Sequence, residues 1–204
     1  MPRSNLDVLR TLGLFLIPDF FPTTLCRELR LAVERWPAEA AYIFAEGVAS
    51  VDERVRRAES CDISEAAPSI SVCDRLKAVL PTIATHFGVP LTSYEPPQIV
   101  RYRVGGYYRP HVDASRSSAG PAVLRHRTVS CVVFLNGSED AADNANFVGG
   151  ALAFFRLVEP PTFDNCKTFL YPVSGLLVAF RSSIYHEVLP VIAGERFTLV
   201  TWFG

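Results

Sequence analysis

A surplus of charge is missing from this 204-residue chain, whose formal net charge is −1. A dedicated nucleic-acid surface reads as a strong basic excess, so no nucleic-acid partner is expected. With 49% hydrophobic residues, the chain is not of the disordered class either. Long apolar runs are also missing. The run LGLFLI before Pro18 is six residues long. That is too short for a signal-peptide core or a membrane span, and it reads as a first strand. Paired cysteines are absent as well. Cys26, Cys61, Cys73, Cys131 and Cys166 are odd in number and show no C-x-x-C spacing. They read as buried, reduced thiols of a cytoplasmic protein with no membrane partner. A closed zinc site of four ligands is excluded on the same spacing.

What remains suits one well-filled domain over residues 1–204, with a helical support region (1–95) and a β-barrel core (96–204). Leu25, Leu29, Val33 and Trp36 recur at helical spacing after Thr23, and Pro37 stops them. Cys73, Leu76, Leu80, Ile83 and Phe87 form a second helical set ending at Gly88, with a kink or break expected at Pro81. Residues 38–69 lack a clear period and read as a mobile excursion with one helical turn around VDERVRRA. From Pro96 the pattern changes. QIVRYRV, RTVSCVVFLN, GALAFFR, KTFLYPV, GLLVAF, HEVLPVI and RFTLVTWF are short β-rich runs divided by Gly, Pro, Asn and Ser. That succession predicts a mainly β, double-stranded β-helix (jelly-roll) core of about seven or eight strands. Loops 114–127 and 136–150 interrupt it.

The candidate chemistry starts at YRVGGYYRPHVDA. On a strand, residues two apart share a face, so His111 and Asp113 can present an imidazole and a carboxylate to one ligand. His186 opens a later strand-like run. Two His and one carboxylate on one face of a metal leave three positions open, the facial set of non-haem Fe(II) oxygenases. Arg196 is a second signal. A guanidinium fixed in an apolar β interior needs an anion, and either Glu187 or Glu195 would serve. Thr198 shares its strand face. His86 and His126 have no such company and read as structural or surface residues. Gly149-Gly150 reads as a turn.

Three segments resemble the prolyl 4-hydroxylase branch of the Fe(II)- and 2-oxoglutarate-dependent dioxygenases. The first holds Tyr102, Gly105, Tyr108, His111 and Asp113. The second holds Arg127, Ser130, Phe134 and Asn136, with Gly149 and Gly150 downstream. The third holds His186, Glu187, Val188, Pro190, Val191, Gly194, Arg196 and Trp202. The resemblance implies Fe(II) on His111, Asp113 and His186, and the distal carboxylate of 2-oxoglutarate on Arg196, with Tyr102 and Thr198 beside it. It implies O₂ as oxidant, with ascorbate as an aid, and succinate, CO₂ and a hydroxylated C–H bond as products. Tyr108, Arg127 and Trp202 fall where relatives line the substrate side, although edge packing accounts equally for Arg127 and Trp202. Relatives carry Tyr where this chain has Phe134, so one donor to the distal carboxylate is missing here. The prime substrate is a small molecule, peptide or protein. A cupin-like metal-binding protein or isomerase is the alternative, one that would not need Arg196. Asp113 argues against a halogenase, and Trp202 stands where a nucleic-acid demethylase would carry a further Arg.

Overall fold

From Gln98 onward, apolar-rich runs give strands that can be buried on both sides, and the fold uses both faces of one large sheet. A computed structural model describes residues 3–35, 38–45, 48–63, 69–115, 121–137, 145–157 and 167–204. Helix α1 (Arg3–Thr11) leads into β1 (Phe15–Ile17), and α2 (Thr23–Arg35) follows. Five short strands come next: β2 (Glu39–Ala40), β3 (Ile43–Ala45), β4 (Val48–Ser50), β5 (Arg56–Arg57) and β6 (Glu59–Asp62). Helix α3 (Ser69–Phe87) precedes β7 (Gln98–Tyr102), β8 (Tyr107–His111) and the short α4 (Ala122–His126). The remaining strands are β9 (Val129–Phe134), β10 (Val148–Gly149), β11 (Leu152–Phe155) and β12 (Lys167–Leu170). The last four are β13 (Leu177–Arg181), β14 (His186–Val188), β15 (Val191–Ala193) and β16 (Arg196–Phe203).

The major sheet has seven strands in the order β1-β13-β9-β16-β7-β6-β2, and the minor sheet five, β12-β11-β14-β8-β5. Two small two-stranded sheets, β10-β15 and β3-β4, complete the set. This mainly β jelly roll, with helices outside, is the predicted fold class.

Parity along the major sheet separates two cores. Val129, Cys131, Val133, Phe197, Leu199 and Phe203 face α2 and α3. The helices answer with Leu25, Leu29, Val33, Leu76, Ile83 and Phe87. The alternate residues, among them Val100, Tyr102, Phe134, Val178 and Phe180, face the minor sheet across a second core with Leu152, Phe154 and Val188. Each fully buried Leu or Phe contributes about 1.5–3 kcal/mol, so the two cores are what hold the layers together.

Several expectations change. Helix α3 passes through Pro81 without a break, and the hydroxyl of Thr85 donates to the Pro81 carbonyl at 2.9 Å. Its buried residues are Val72, Leu76, Val79, Ile83 and Phe87, so Val72 and Val79 take the places expected of Cys73 and Leu80. Trp36 and Pro37 lie outside the described residues. Residues 38–63 are not an excursion: β6 and β2 extend the major sheet from β7, and β5 extends the minor sheet from β8. The single turn expected there exists, since Val55 and Arg56 N–H both donate to the Asp52 carbonyl. HEVLPVI splits at Leu189-Pro190 into β14 and β15. His86 packs on Phe15 and Phe87, a structural role.

Candidate metal centre and cavity

Register brings the first two imidazoles together: in the pairing of β14 with β8, His186 stands opposite His111. Asp113 lies two residues beyond the end of β8, and its carboxylate oxygens are 3.5 Å from His111 Nε2 and 3.5 Å from His186 Nε2. Ligand atoms of the three residues all lie within 4.8 Å of one another. The tautomers follow from the outer ring nitrogens. His111 Nδ1 is 2.8 Å from the Arg109 carbonyl and His186 Nδ1 is 2.9 Å from the Ile184 carbonyl. A carbonyl only accepts, so each Nδ1 carries the proton and each Nε2 lone pair faces the centre.

Charge states agree. Burial, then the nearby His111, lowers the His186 pKa to about 4, so its ring is neutral at pH 7. Burial alone would raise the Asp113 pKa, but His186 and His111 outweigh it and hold the carboxyl well below its usual range. Two imidazoles and one carboxylate, converging at one point, are a donor set for a divalent first-row metal with open positions. The residues fit Fe(II).

Two serines aim the carboxylate. Ser130 Oγ donates to Asp113 Oδ2 at 2.6 Å, and Ser130 and Ser182 hydroxyls are 2.9 Å apart. A hydroxyl has one proton, so Ser182 donates to Ser130 while Ser130 donates to Asp113. The Ser182 carbonyl also accepts the backbone N–H of Asp113 at 3.0 Å and of Ala114 at 3.1 Å. Sequence reading placed Ser130 only within a motif and missed Ser182 entirely. Nothing local marks Ser182, whose partners lie far away in the chain.

Arg196 is 1% exposed at the start of β16. Its Nε donates to the Gly150 carbonyl at 2.9 Å and Nη1 to Thr198 Oγ1 at 3.3 Å. Neither expected anion is there: Glu187 pairs with Lys167, and Glu195 with Arg103. Among the described residues no carboxylate pairs with Arg196, and burial lowers its pKa only to about 10, so it stays charged at pH 7. Its guanidinium carbon is 5.0 Å from the Tyr102 ring and 5.2 Å from the Phe134 ring. Tyr102 faces Arg196 across β7, and Thr198 faces Phe134 across β9. The four residues named at this end are therefore neighbours. Gly149-Gly150 is more than a turn. Gly150 has φ +61°, and a Cβ there would meet Arg196 Cδ at 2.9 Å, so glycine lets the backbone close on the guanidinium.

Metal residues and Arg196 line one cavity of about 310 Å³. Tyr108 stacks on His111 with centroids 3.5 Å apart and planes 17° apart, and burial pushes its hydroxyl up to about 12. Arg127 lies over the Trp202 ring at 3.6 Å and grips Glu95 through bonds of 2.6 and 2.7 Å. Glu95 was not anticipated, since its partner is distant in sequence. All of the site residues named from the sequence are thus brought to one place.

Comparisons with known proteins agree with this geometry. The model of the 2OG-Fe(II) oxygenase superfamily matches residues 97–204. A PKHD-type hydroxylase from Sphingopyxis alaskensis is 33% identical over 107 residues, 52% of this chain and 43% of that protein. The match spans less than half the length of that relative. The crystal structure of a Pseudomonas putida prolyl-4-hydroxylase superposes with TM-score 0.68 at 26% identity, covering 100% of this chain and 98% of that one. A prolyl hydroxylase from Trichoplax adhaerens, solved with a hypoxia inducible factor peptide fragment, shares the fold with TM-score 0.68 at 21% identity. Coverage there is 97% of this chain and 86% of the other.

Proposed function

Because the chain belongs to the 2OG-Fe(II) oxygenase superfamily, we propose that it is a hydroxylase acting on a C–H bond of a prolyl residue, a free amino acid or a small-molecule scaffold. The observation that carries this reading is Arg196, a buried cation without a carboxylate partner among the described residues, in the same cavity as two imidazoles and a carboxylate. His111, Asp113 and His186 would hold Fe(II), and Arg196 would take the distal carboxylate of 2-oxoglutarate. When bound, this pair supplies the oxidation: O₂ is consumed, 2-oxoglutarate becomes succinate and CO₂, and one oxygen enters the substrate C–H bond.

The chain's own contribution is placement. Ser130 and Ser182 fix the direction of Asp113, and the Nδ1 bonds fix both rings. Tyr102 and Thr198 bring hydroxyls toward the carboxylate on Arg196, in place of the donor that Phe134 lacks. Tyr108, Arg127 and Trp202 form the substrate wall. The names of the prolyl hydroxylase relatives support a prolyl substrate, peptide or protein among them. We read residues 1–204 as one oxygenase domain. Free Cys61, Cys73 and Cys131 support a cytoplasmic setting, and among the described residues no helix is long and apolar enough to cross a membrane.

The test is succinate formation by purified protein with Fe(II), 2-oxoglutarate and ascorbate, with mass spectrometry of a substrate panel for a gain of one oxygen. Slow turnover alone, accelerated by the right substrate, is expected. No 2-oxoglutarate consumption across the panel would leave the cupin-like metal-binding reading in its place.

A further inference from the structure

Three arginines line the cavity, and their donors are committed differently. Arg127 spends its fork on Glu95. Arg196 lies at the 2-oxoglutarate end. Arg56, on β5 at the edge of the minor sheet, gives Nη1 to the Tyr42 carbonyl at 2.9 Å and sets its guanidinium 4.6 Å from the Tyr108 ring centre. Tyr108 in turn stacks on His111. Arg56 therefore stands two planes away from a metal ligand, on the side of the cavity away from the major sheet.

Arg56 Nε is the one buried side-chain donor or acceptor without a hydrogen-bond partner among the described residues. Among those residues no carboxylate pairs with Arg56. With Nη1 occupied, the edge made of Nε and Nη2 remains, two parallel N–H groups that match the two oxygens of a carboxylate.

Formal charge leads to the same residue. Among the described residues that line the cavity, Glu95 is taken by Arg127, and Arg196 is committed to the distal carboxylate of 2-oxoglutarate in the reading above. Arg56 is the remaining arginine of that lining, and neither pairing takes it up. In a cavity, where water screens less than in bulk, an unmatched charge favours an incoming charge of opposite sign.

We propose that Arg56 is a substrate-anchoring residue, and that the prime substrate carries a carboxylate which docks on its Nε–Nη2 edge. The inference rests on the hydroxylase reading above and narrows it. The carboxylate is either the α-carboxylate of a free or C-terminal residue, or the side chain of an acidic neighbour in a peptide. Tyr108 supplies the platform that holds the guanidinium in place.

The experiment compares acid and amide partners that differ in one group. N-acetyl-L-proline and its primary amide test the α-carboxylate. Blocked tripeptides Ac-Ala-Pro-Glu-NH₂ and Ac-Glu-Pro-Ala-NH₂, each against its Gln counterpart, test the side chain. Binding is read as paramagnetic broadening of the proline ring protons on protein loaded with Mn(II) and 2-oxoglutarate. Stimulation of succinate formation is read in parallel with Fe(II). Wild type should favour the acid of at least one pair by about 10- to 100-fold, the range for a hydrogen bond to a charged group. Arg56→Met should bring that preference below about threefold, and Arg56→Lys should keep part of it through charge alone. A residue that merely braced Tyr42 would weaken acid and amide together and leave their ratio unchanged. Equal behaviour of acid and amide in every wild-type pair overturns the proposal, as does a preference that survives in Arg56→Met. Failure of the hydroxylase reading shows separately, as absence of 2-oxoglutarate consumption while the broadening ratios still report on Arg56.

Discussion

The two faces of the major sheet differ by a single step along each strand. On β16, Phe197, Leu199 and Phe203 meet helices, while Arg196, Thr198, Val200 and Trp202 meet the cavity. On β9, Val129, Cys131 and Val133 lie against the helices, whereas Ser130 and Phe134 serve the site. One face is hydrocarbon and thiol apart from Thr201, whose hydroxyl donates to the Glu95 carbonyl, and burial drives the Cys131 thiol pKa upward. The other carries hydroxyls, a guanidinium and aromatic rims. Both faces thus carry packing, but the candidate chemistry is confined to one of them, so substitutions at neighbouring residues of one strand should separate it from helix-side packing.

The largest effect should come from the cavity side. Asp113→Ala is expected to lower succinate formation by more than the roughly 10- to 100-fold that losing an outer partner costs a metal site, while thermal unfolding moves little because both cores stay intact. Full activity in that variant would overturn the metal assignment.

The opposite dissociation should follow on the helix side. Leu199 is fully buried against the helices, and Leu199→Ala should cost about 2–5 kcal/mol of stability by removing packing and leaving a cavity. Denaturant unfolding measures it. The KM for 2-oxoglutarate, taken below the melting transition, should stay within about twofold. A large KM change would mean that the two faces are coupled through the strand.

A smaller change sharpens the contrast at the next residue. Thr198→Val and Tyr102→Phe each remove one hydroxyl beside Arg196 and should raise the KM for 2-oxoglutarate by roughly 10- to 150-fold. Phe134→Tyr restores a donor from the neighbouring strand and should partly rescue both. Unchanged KM in both single variants would remove these residues from the carboxylate site.

The last effect is absent at pH 7 and grows only on acidification. His186 is depressed to about 4 in the folded protein against an ordinary 6.5, so below 6.5 the unfolded chain binds the proton first. Metal-free protein should lose stability as pH falls through that interval, more steeply than a His186→Asn variant. Urea unfolding at a series of pH values provides the comparison. Parallel curves would show that the ring is not depressed.

Much of this division was legible in the sequence. β9, β13 and β16 follow short β-rich runs bounded by turn residues, and His111, Asp113, His186 and Arg196 sit in segments of recognisable spacing. Two-residue strands such as β2 and β5 were not legible, because two residues have no period and owe their conformation to the strand they join. α1 was missed beside the stronger apolar signal of LGLFLI. Glu187 and Glu195 were reasonable partners for Arg196 by proximity in sequence, but tertiary contacts with Lys167 and Arg103 took them. Ser182, Glu95 and Arg56 act through distant partners, and pattern in one segment does not encode those.

The Asn136 side chain, fully buried, bonds the Ala145 carbonyl and the Glu195 carbonyl, each at 2.7 Å, and accepts from the Phe197 N–H at 2.9 Å. It therefore ties the chain at 136 to the chain at 145 and both to the start of β16. One amide thus rivets three separate stretches of backbone, and Asn136→Ala would strand the Phe197 N–H and two carbonyls at once, at about 1–3 kcal/mol for each group left buried without a partner, loosening the strand start that carries Arg196.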